Sequence, residues 1–342
     1  MEQRFPVNLR HRQRRETAEP SMSSNTEFPI HGRVAPGFEA VREIFAANFR
    51  EDVEVGASFA VHTAAGESLV ELWGGFTDPG CEKPWQADTL VNVYSTTKGL
   101  AALAFATLVE EGLIDYEQPV REIWPELRAA QGGLTVGQLL SHQGGLAGVS
   151  TPLTVEDLYD WEKMISLLEN QEPLWPPGTA AGYHAVVWGY LPGEIARRLT
   201  GASLGRILAD RLAEPFLADF FLGLPESEMA RVAPMIGPNR ARIQPEPGSA
   251  AGEVAHMPPL YAIALQNPLI RPFKDASSPA WQAAEIAASN GQATAAGIAR
   301  IYAGVLGPRS PLSAATLAAL TEERVGMTPD LVLGTPVRRG AG

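Results

Sequence analysis

From Gly99 to Val109 the chain reads GLAALAFATLV, apolar on every side if the segment is a helix. A helix with no polar face must be wrapped by other elements, which commits the chain to a layered domain around one large core. The run is well short of the roughly eighteen apolar residues of a membrane span, and no other stretch approaches that length. Directly before it stands STTKG, with Ser95 and Lys98 three positions apart and so on one face of the first turn.

A serine hydroxyl becomes a nucleophile only when a base takes its proton, and a lysine held among apolar groups with a depressed pKa can assist. At a helix N-terminus the same serine sits among free backbone N–H groups that steady a developing oxyanion. The ordinary alternative makes Ser95 or Thr96 an N-cap and lets Lys98 reach outward. The all-apolar continuation argues against it, because a lysine opening a buried helix must face polar neighbours or a cavity.

The remaining chain supplies the wrapping. PGFEAVREIFAANF places Phe38, Val41, Phe45 and Phe49 on one helical face, and GASFAVHTAAGESLVELWGGFT reads as a β-hairpin around TAAGE. Short helices joined by Gly/Pro turns are expected from Leu113 to about Leu224, and loops from Ala230 to Pro272. Helical patterns return in SSPAWQAAEIAAS, ATAAGIARIYAGVL and SAATLAALTEE, and PDLVLGTPVRRGAG reads as the opening of a strand. A hairpin is not stable alone in water, so its sheet partners are expected late in the chain.

Acidic residues exceed basic ones by 39 to 27 among 342 residues, and the arginines are scattered, which argues against a nucleic-acid partner. Cys81 is the single cysteine, so no intrachain disulfide can form. The Arg-rich first residues lack an apolar h-region and are expected to be a disordered extension, residues 1–31, with Met22 an alternative start; the expected location is the cytoplasm. His11, His31, His62, His142, His184 and His256 show no ligand spacing, and there is no phosphate-loop pattern, so neither a metal nor a nucleotide cofactor is expected.

Three further segments bear on chemistry. Tyr183, in WPPGTAAGYHAVVWGYL, follows a Pro/Gly turn, is expected to open an apolar helix, and could serve as general base if nearby cations lower its pKa. Ser141 and His142 are adjacent in LLSHQGGL, but neighbours on a helix diverge by about 100°, so His142 is expected to satisfy backbone groups in a turn. TGASLGR has the GxSxG spacing of a nucleophile elbow, yet it follows an amphipathic helix rather than a strand, so Gly201 reads as a helix stop and Ser203 as an N-cap.

Taken together, STTKG, LLSHQGGL, PPGTAAGYHAVVWGYLPGEIARRLTG and SNGQATAAGIARIYAGV, in that order, resemble the serine β-lactamase and penicillin-binding-protein superfamily. The branch most resembled is the class C β-lactamase-like carboxylesterases, or family VIII esterases. The resemblance runs from about Gly32 onward and implies one β-lactamase-like serine hydrolase domain over 32–342. The implied fold is α+β and two-lobed, an antiparallel sheet flanked by helices plus a mostly helical lobe. It implies Ser95 as the acylated nucleophile, Lys98 as its activating partner and Tyr183 as general base, acting on a small-molecule ester or amide substrate without a cofactor.

Two departures follow from the comparison. The second motif reads Tyr183-His184-Ala185, with alanine where the β-lactamases carry asparagine, which implies weaker β-lactam handling and favours an esterase; a β-lactamase or an acyltransferase of the same superfamily is the alternative. The third motif, a KTG, HGG or WGG triplet on a strand, is expected past Gly342, so the sheet is expected to be incomplete. An inactive, truncated member is the corresponding alternative, since losing one oxyanion donor costs roughly 3 kcal/mol in the barrier.

Overall fold

The computed structural model describes residues 28–51, 54–237 and 258–341. The hairpin forms where the alternation places it, β2 (Gly56–His62) pairing antiparallel with β3 (Ser68–Gly75). Among the described residues its partner comes from the front of the chain. Strand β1 (Ile30–Val34) lies along the other edge of β3, from Ile30 opposite Gly74 to Val34 opposite Val70, giving the order β1-β3-β2. Folded structure thus begins inside the expected 1–31 extension; residues 1–27, including Met22, lie outside the described residues. Helix α1 (Glu39–Arg50) covers one face, its Phe45 and Phe49 packed on Val70 and Leu72.

Helix α2 (Thr96–Glu110) is the all-apolar segment, and Leu100 to Leu108 are buried on every side. The helices that enclose it are α5 (Tyr190–Thr200), α6 (Leu204–Leu208) and α10 (Ala314–Thr321). The chain also forms α3 (Val136–Leu140), α4 (Trp161–Asn170), α7 (Tyr261–Leu265) and α8 (Pro279–Ala283), of which α3 and α4 contact α5. Helix α9 (Ala295–Leu306) lies along β2 and joins the helical lobe to the sheet.

Local chemistry fixes many of the helix starts. Thr135 closes a reciprocal capping box with Gln138, and Asp160, Ser278, Thr294 and Ser313 each accept a backbone N–H of the following turn. Ser203 does the same with Arg206 N–H, while Gly201 ends α5 at φ 73°, so the GxSxG stretch is a helix stop followed by an N-cap, as its context predicts.

A second small sheet, β4 (Val91–Asn92), β6 (Gln292–Ala293) and β5 (Phe220–Phe221), brings the SNGQA segment beside the start of α2. The C-terminal stretch is a two-stranded ribbon, β7 (Val325–Pro329) with β8 (Pro336–Arg339), and Asp330 opens the turn between them where a strand opening was expected. The expected loop region contains α7, and its residues 238–257 lie outside the described residues. Among the described residues no helix is long and apolar enough to cross a membrane.

Candidate active site

The small sheet holds the approach to α2 rigidly. Asn92 accepts from Trp281 Nε1 (2.8 Å) and Gln292 Nε2 (3.0 Å) and donates to Ser289 O (3.2 Å). Val93 N–H donates to Gly291 O (2.9 Å), and Gly291 N–H returns a bond to Thr97 Oγ1 (2.9 Å). A Cβ on Gly291 would lie 2.7 Å from the Phe220 ring and 2.8 Å from Thr97 Oγ1, so only glycine permits this approach. Between these braces the chain turns through Tyr94 at φ 44°, a left-handed conformation that a non-glycine residue adopts only under constraint. The Tyr94 hydroxyl donates to Pro272 O. Ser95 emerges from this turn at the N-cap of α2, exposed to solvent.

One turn on, Lys98 is buried, and its Nζ faces four oxygens. They are Ala185 O at 2.8 Å, Ala288 O at 2.9 Å, Tyr183 Oη at 3.1 Å and Ser95 Oγ at 3.3 Å. Burial pulls its pKa from 10.5 down to about 7. The two carbonyls accept only, so they take two N–H donors in either protonation state. The third position, toward Ser95 and Tyr183, is then an N–H in the ammonium and a lone pair in the amine. Gly99 follows because a Cβ there would sit 2.6 Å from Tyr302 Oη on α9.

Tyr183 donates its hydroxyl to Ser95 Oγ at 2.7 Å, so Ser95, Lys98 and Tyr183 meet in one hydrogen-bonded group. Tyr183 stands in irregular chain ahead of α5 rather than opening a helix. Burial raises its phenol pKa; the Ser95 hydrogen bond and the Arg339 charge act the other way but are outweighed. The phenol is therefore not the low-pKa group expected from nearby cations. Lys98 is.

The second motif is held from behind by two histidines. His142, at φ 69°, accepts His184 N–H on Nδ1 (3.0 Å). His184 accepts Leu146 N–H on Nε2 (3.1 Å), which makes its Nδ1 the donor to Gly182 O (2.6 Å). Burial lowers both pKa values, that of His184 to about 4, and both rings are neutral backbone acceptors. His142 is thus a turn residue, and the Ser141 hydroxyl donates to Gln138 O and accepts from Gln143 Nε2.

Two residues beside the site carry no sequence signal. Asp330 Oδ1 accepts Tyr183 N–H at 3.1 Å, and Arg339 stands 5.9 Å from the Tyr183 ring centre. They fall in a stretch whose apolar letters suggest a strand, and only the ribbon turn brings them here.

An exposed serine at the N-terminus of a core helix, hydrogen-bonded to a buried lysine and a tyrosine on an α+β scaffold, defines a member of the serine β-lactamase and penicillin-binding-protein superfamily. Comparison with known proteins agrees. The Beta-lactamase family matches residues 45–342, and the chain belongs to that family of hydrolases. It is 33% identical to the esterase/beta-lactamase LipL of Mycobacterium tuberculosis over 317 residues, covering 90% of this chain and 73% of LipL. Its structure is similar to that of a family VIII carboxylesterase (TM-score 0.82, 41% identity). A penicillin-binding-protein homologue from Caulobacter crescentus also superposes well (TM-score 0.77, 38% identity). In both cases 92% of this chain and 82% of the other are covered.

Proposed function

We propose that this chain hydrolyses small carboxylic esters through an acyl-enzyme on Ser95. The observation that carries the reading is the contact of a buried Lys98, its pKa near 7, with an exposed serine hydroxyl 3.3 Å away. A near-neutral base beside the nucleophile is what acylation at neutral pH requires.

In acylation the two hydroxyls first turn, so that Ser95 donates to Tyr183 Oη across the 2.7 Å contact and Tyr183 donates to the neutral amine of Lys98 at 3.1 Å, and the Ser95 proton passes to Tyr183 as the Tyr183 proton passes to Lys98. Ser95 Oγ attacks the ester carbonyl, and the oxyanion falls to the N–H of Ser95 itself, because the expected free N–H groups of Thr96, Thr97 and Lys98 donate to Val93 O, Tyr94 O and Ser95 O. Collapse of the tetrahedral adduct expels the alkoxide, which takes a proton back through Tyr183 from the Lys98 ammonium. Water then attacks the acyl carbonyl, giving its proton to the same pair, and the carboxylic acid leaves as Ser95 recovers its hydrogen. The high phenol pKa suits a relay rather than a resting phenolate, because the proton only passes through Tyr183 on its way to Lys98.

Ala185 favours ester over β-lactam substrates, since its side chain offers no amide to a lactam. The esterase names among the relatives support the same choice. The test is intact mass after incubation with a p-nitrophenyl ester and with a fluorophosphonate. One covalent adduct is expected in the wild type and in Ser203→Ala, and none in Ser95→Ala. A folded wild-type chain that forms no adduct ends the reading, and faster turnover of a chromogenic cephalosporin than of the ester would move the substrate class to β-lactams.

A further inference from the structure

The ribbon places a buried ion pair directly behind the tyrosine. Asp330 has a fully buried side chain and Arg339 one that is 9% exposed, with Nη2 2.6 Å from Oδ2. Burying such a pair costs desolvation that an apolar pair of the same size would not, so its presence here asks for a role. Asp330 Oδ1 accepts three backbone N–H groups. Those of Val332 and Leu333 (2.8 Å each) close its own turn, and that of Tyr183 (3.1 Å) reaches across to the site. Leu331 N–H donates to Ala181 O (3.0 Å) beside it, so the turn is stitched to the backbone on both sides of Gly182.

The charges facing Tyr183 are few. Lys98 comes from α2, His142 from the turn after α3, His184 from the next residue, and Asp330 and Arg339 from the ribbon. Both histidines are neutral, which leaves Lys98 and Arg339 as cations and Asp330 as the anion. Arg339 Nη1 and Asp330 Oδ2 are both buried without a hydrogen-bond partner among the described residues, so the two groups meet as opposite charges rather than through an aligned hydrogen bond.

We infer that Asp330 and Arg339 are positioning residues for the proton relay: Asp330 fixes the backbone that carries Tyr183, and Arg339 supplies the positive field that stabilises charge developing on the phenol oxygen. The inference rests on the acyl-enzyme reading above. A ribbon stapled only for stability would use the same contacts but would not tune the relay, and the two differ in one readout.

That readout is the pH dependence of the fluorophosphonate labelling rate between pH 5 and 10, whose rising limb reports the coupled Lys98–Tyr183 pair. Arg339→Gln keeps a long polar side chain beside Asp330 and removes the charge, and its limb is expected to move up by about one pH unit. Asp330→Asn keeps an acceptor for the backbone and removes the opposing charge, and its limb is expected to move down. Arg339→Lys, which restores the charge, should return the limb toward the wild-type position. Shifts of opposite sign in the two charge-removing variants support the inference, and loss of packing cannot produce them. Unchanged limbs, or shifts of the same sign, overturn it. If one variant fails to fold, the other decides by the sign of its own shift: upward for Arg339→Gln or downward for Asp330→Asn supports the inference, and no shift or the opposite sign overturns it. A wild-type chain that never labels at Ser95 would instead sink the acyl-enzyme reading.

Discussion

Replacing Lys98 by methionine is expected to stabilise the protein at neutral pH while removing acylation. The fall of its pKa from 10.5 to about 7 is itself a folding cost. At about 1.4 kcal/mol per pH unit it amounts to about 4–5 kcal/mol at pH 7, because the unfolded chain holds a proton that the folded chain only half retains. Methionine removes that cost but leaves Ala185 O and Ala288 O without their donor, at about 1–2 kcal/mol each. The net gain at pH 7 is therefore about 0–3 kcal/mol.

The sign reverses with alkalinity. The folded pKa lies below the unfolded one, so the wild type's stability is fully present above 10.5 and is lost as pH falls through 7. Near pH 10 the linked cost has almost vanished, only the orphaned carbonyls remain, and the variant should be the less stable of the two. The assay is urea unfolding of both proteins at pH 7, 8.5 and 10, reported as the difference between them so that every other titrating group cancels. A difference that stays constant within about 1 kcal/mol across that range would refute the claim that burial depresses Lys98.

Tyr183→Phe keeps the ring and removes the relay oxygen; labelling of Ser95 should slow by about 10²–10⁴-fold with stability changed by less than about 1 kcal/mol, and a labelling rate within a factor of three of wild type would exclude the tyrosine from proton transfer. The neutral His184, at about 4 instead of 6.5, should make stability fall by about 3 kcal/mol as pH drops from 6.5 toward 4; His142 adds to the loss, and urea midpoints that stay flat down to pH 4.5 would contradict it. Gly189→Ala would set a Cβ 2.6 Å from the backbone nitrogens of Ala287 and Ala288, which cannot swing aside. It should cost about 2–3 kcal/mol or more and slow labelling by displacing the Ala288 carbonyl that holds Lys98, which thermal unfolding and labelling rates together would check.

Much of this protein was determined by short-range sequence. The unbroken apolar run after Lys98 requires a buried α2, because no face of it can be given to water. Alternation on either side of TAAGE requires a β2–β3 hairpin, and Ser203 after Gly201 reads as a cap because the preceding segment is periodic at 3.6. Ser95 and Lys98 share a face at any helical spacing of three, so half of the site is local. The other half was decided by tertiary structure alone. Tyr183 lies 88 positions from Ser95, and nothing in either neighbourhood gives their 2.7 Å contact. The two carbonyls that hold Lys98 belong to backbone, which has no letter in the sequence. Strand β1 has no sequence signature, because the five residues IHGRV carry too little alternation to mark a strand. Asp330 and Arg339 stayed hidden because an aspartate that opens a turn and an arginine on a short strand look like ordinary surface residues until the ribbon folds back and buries them against the tyrosine.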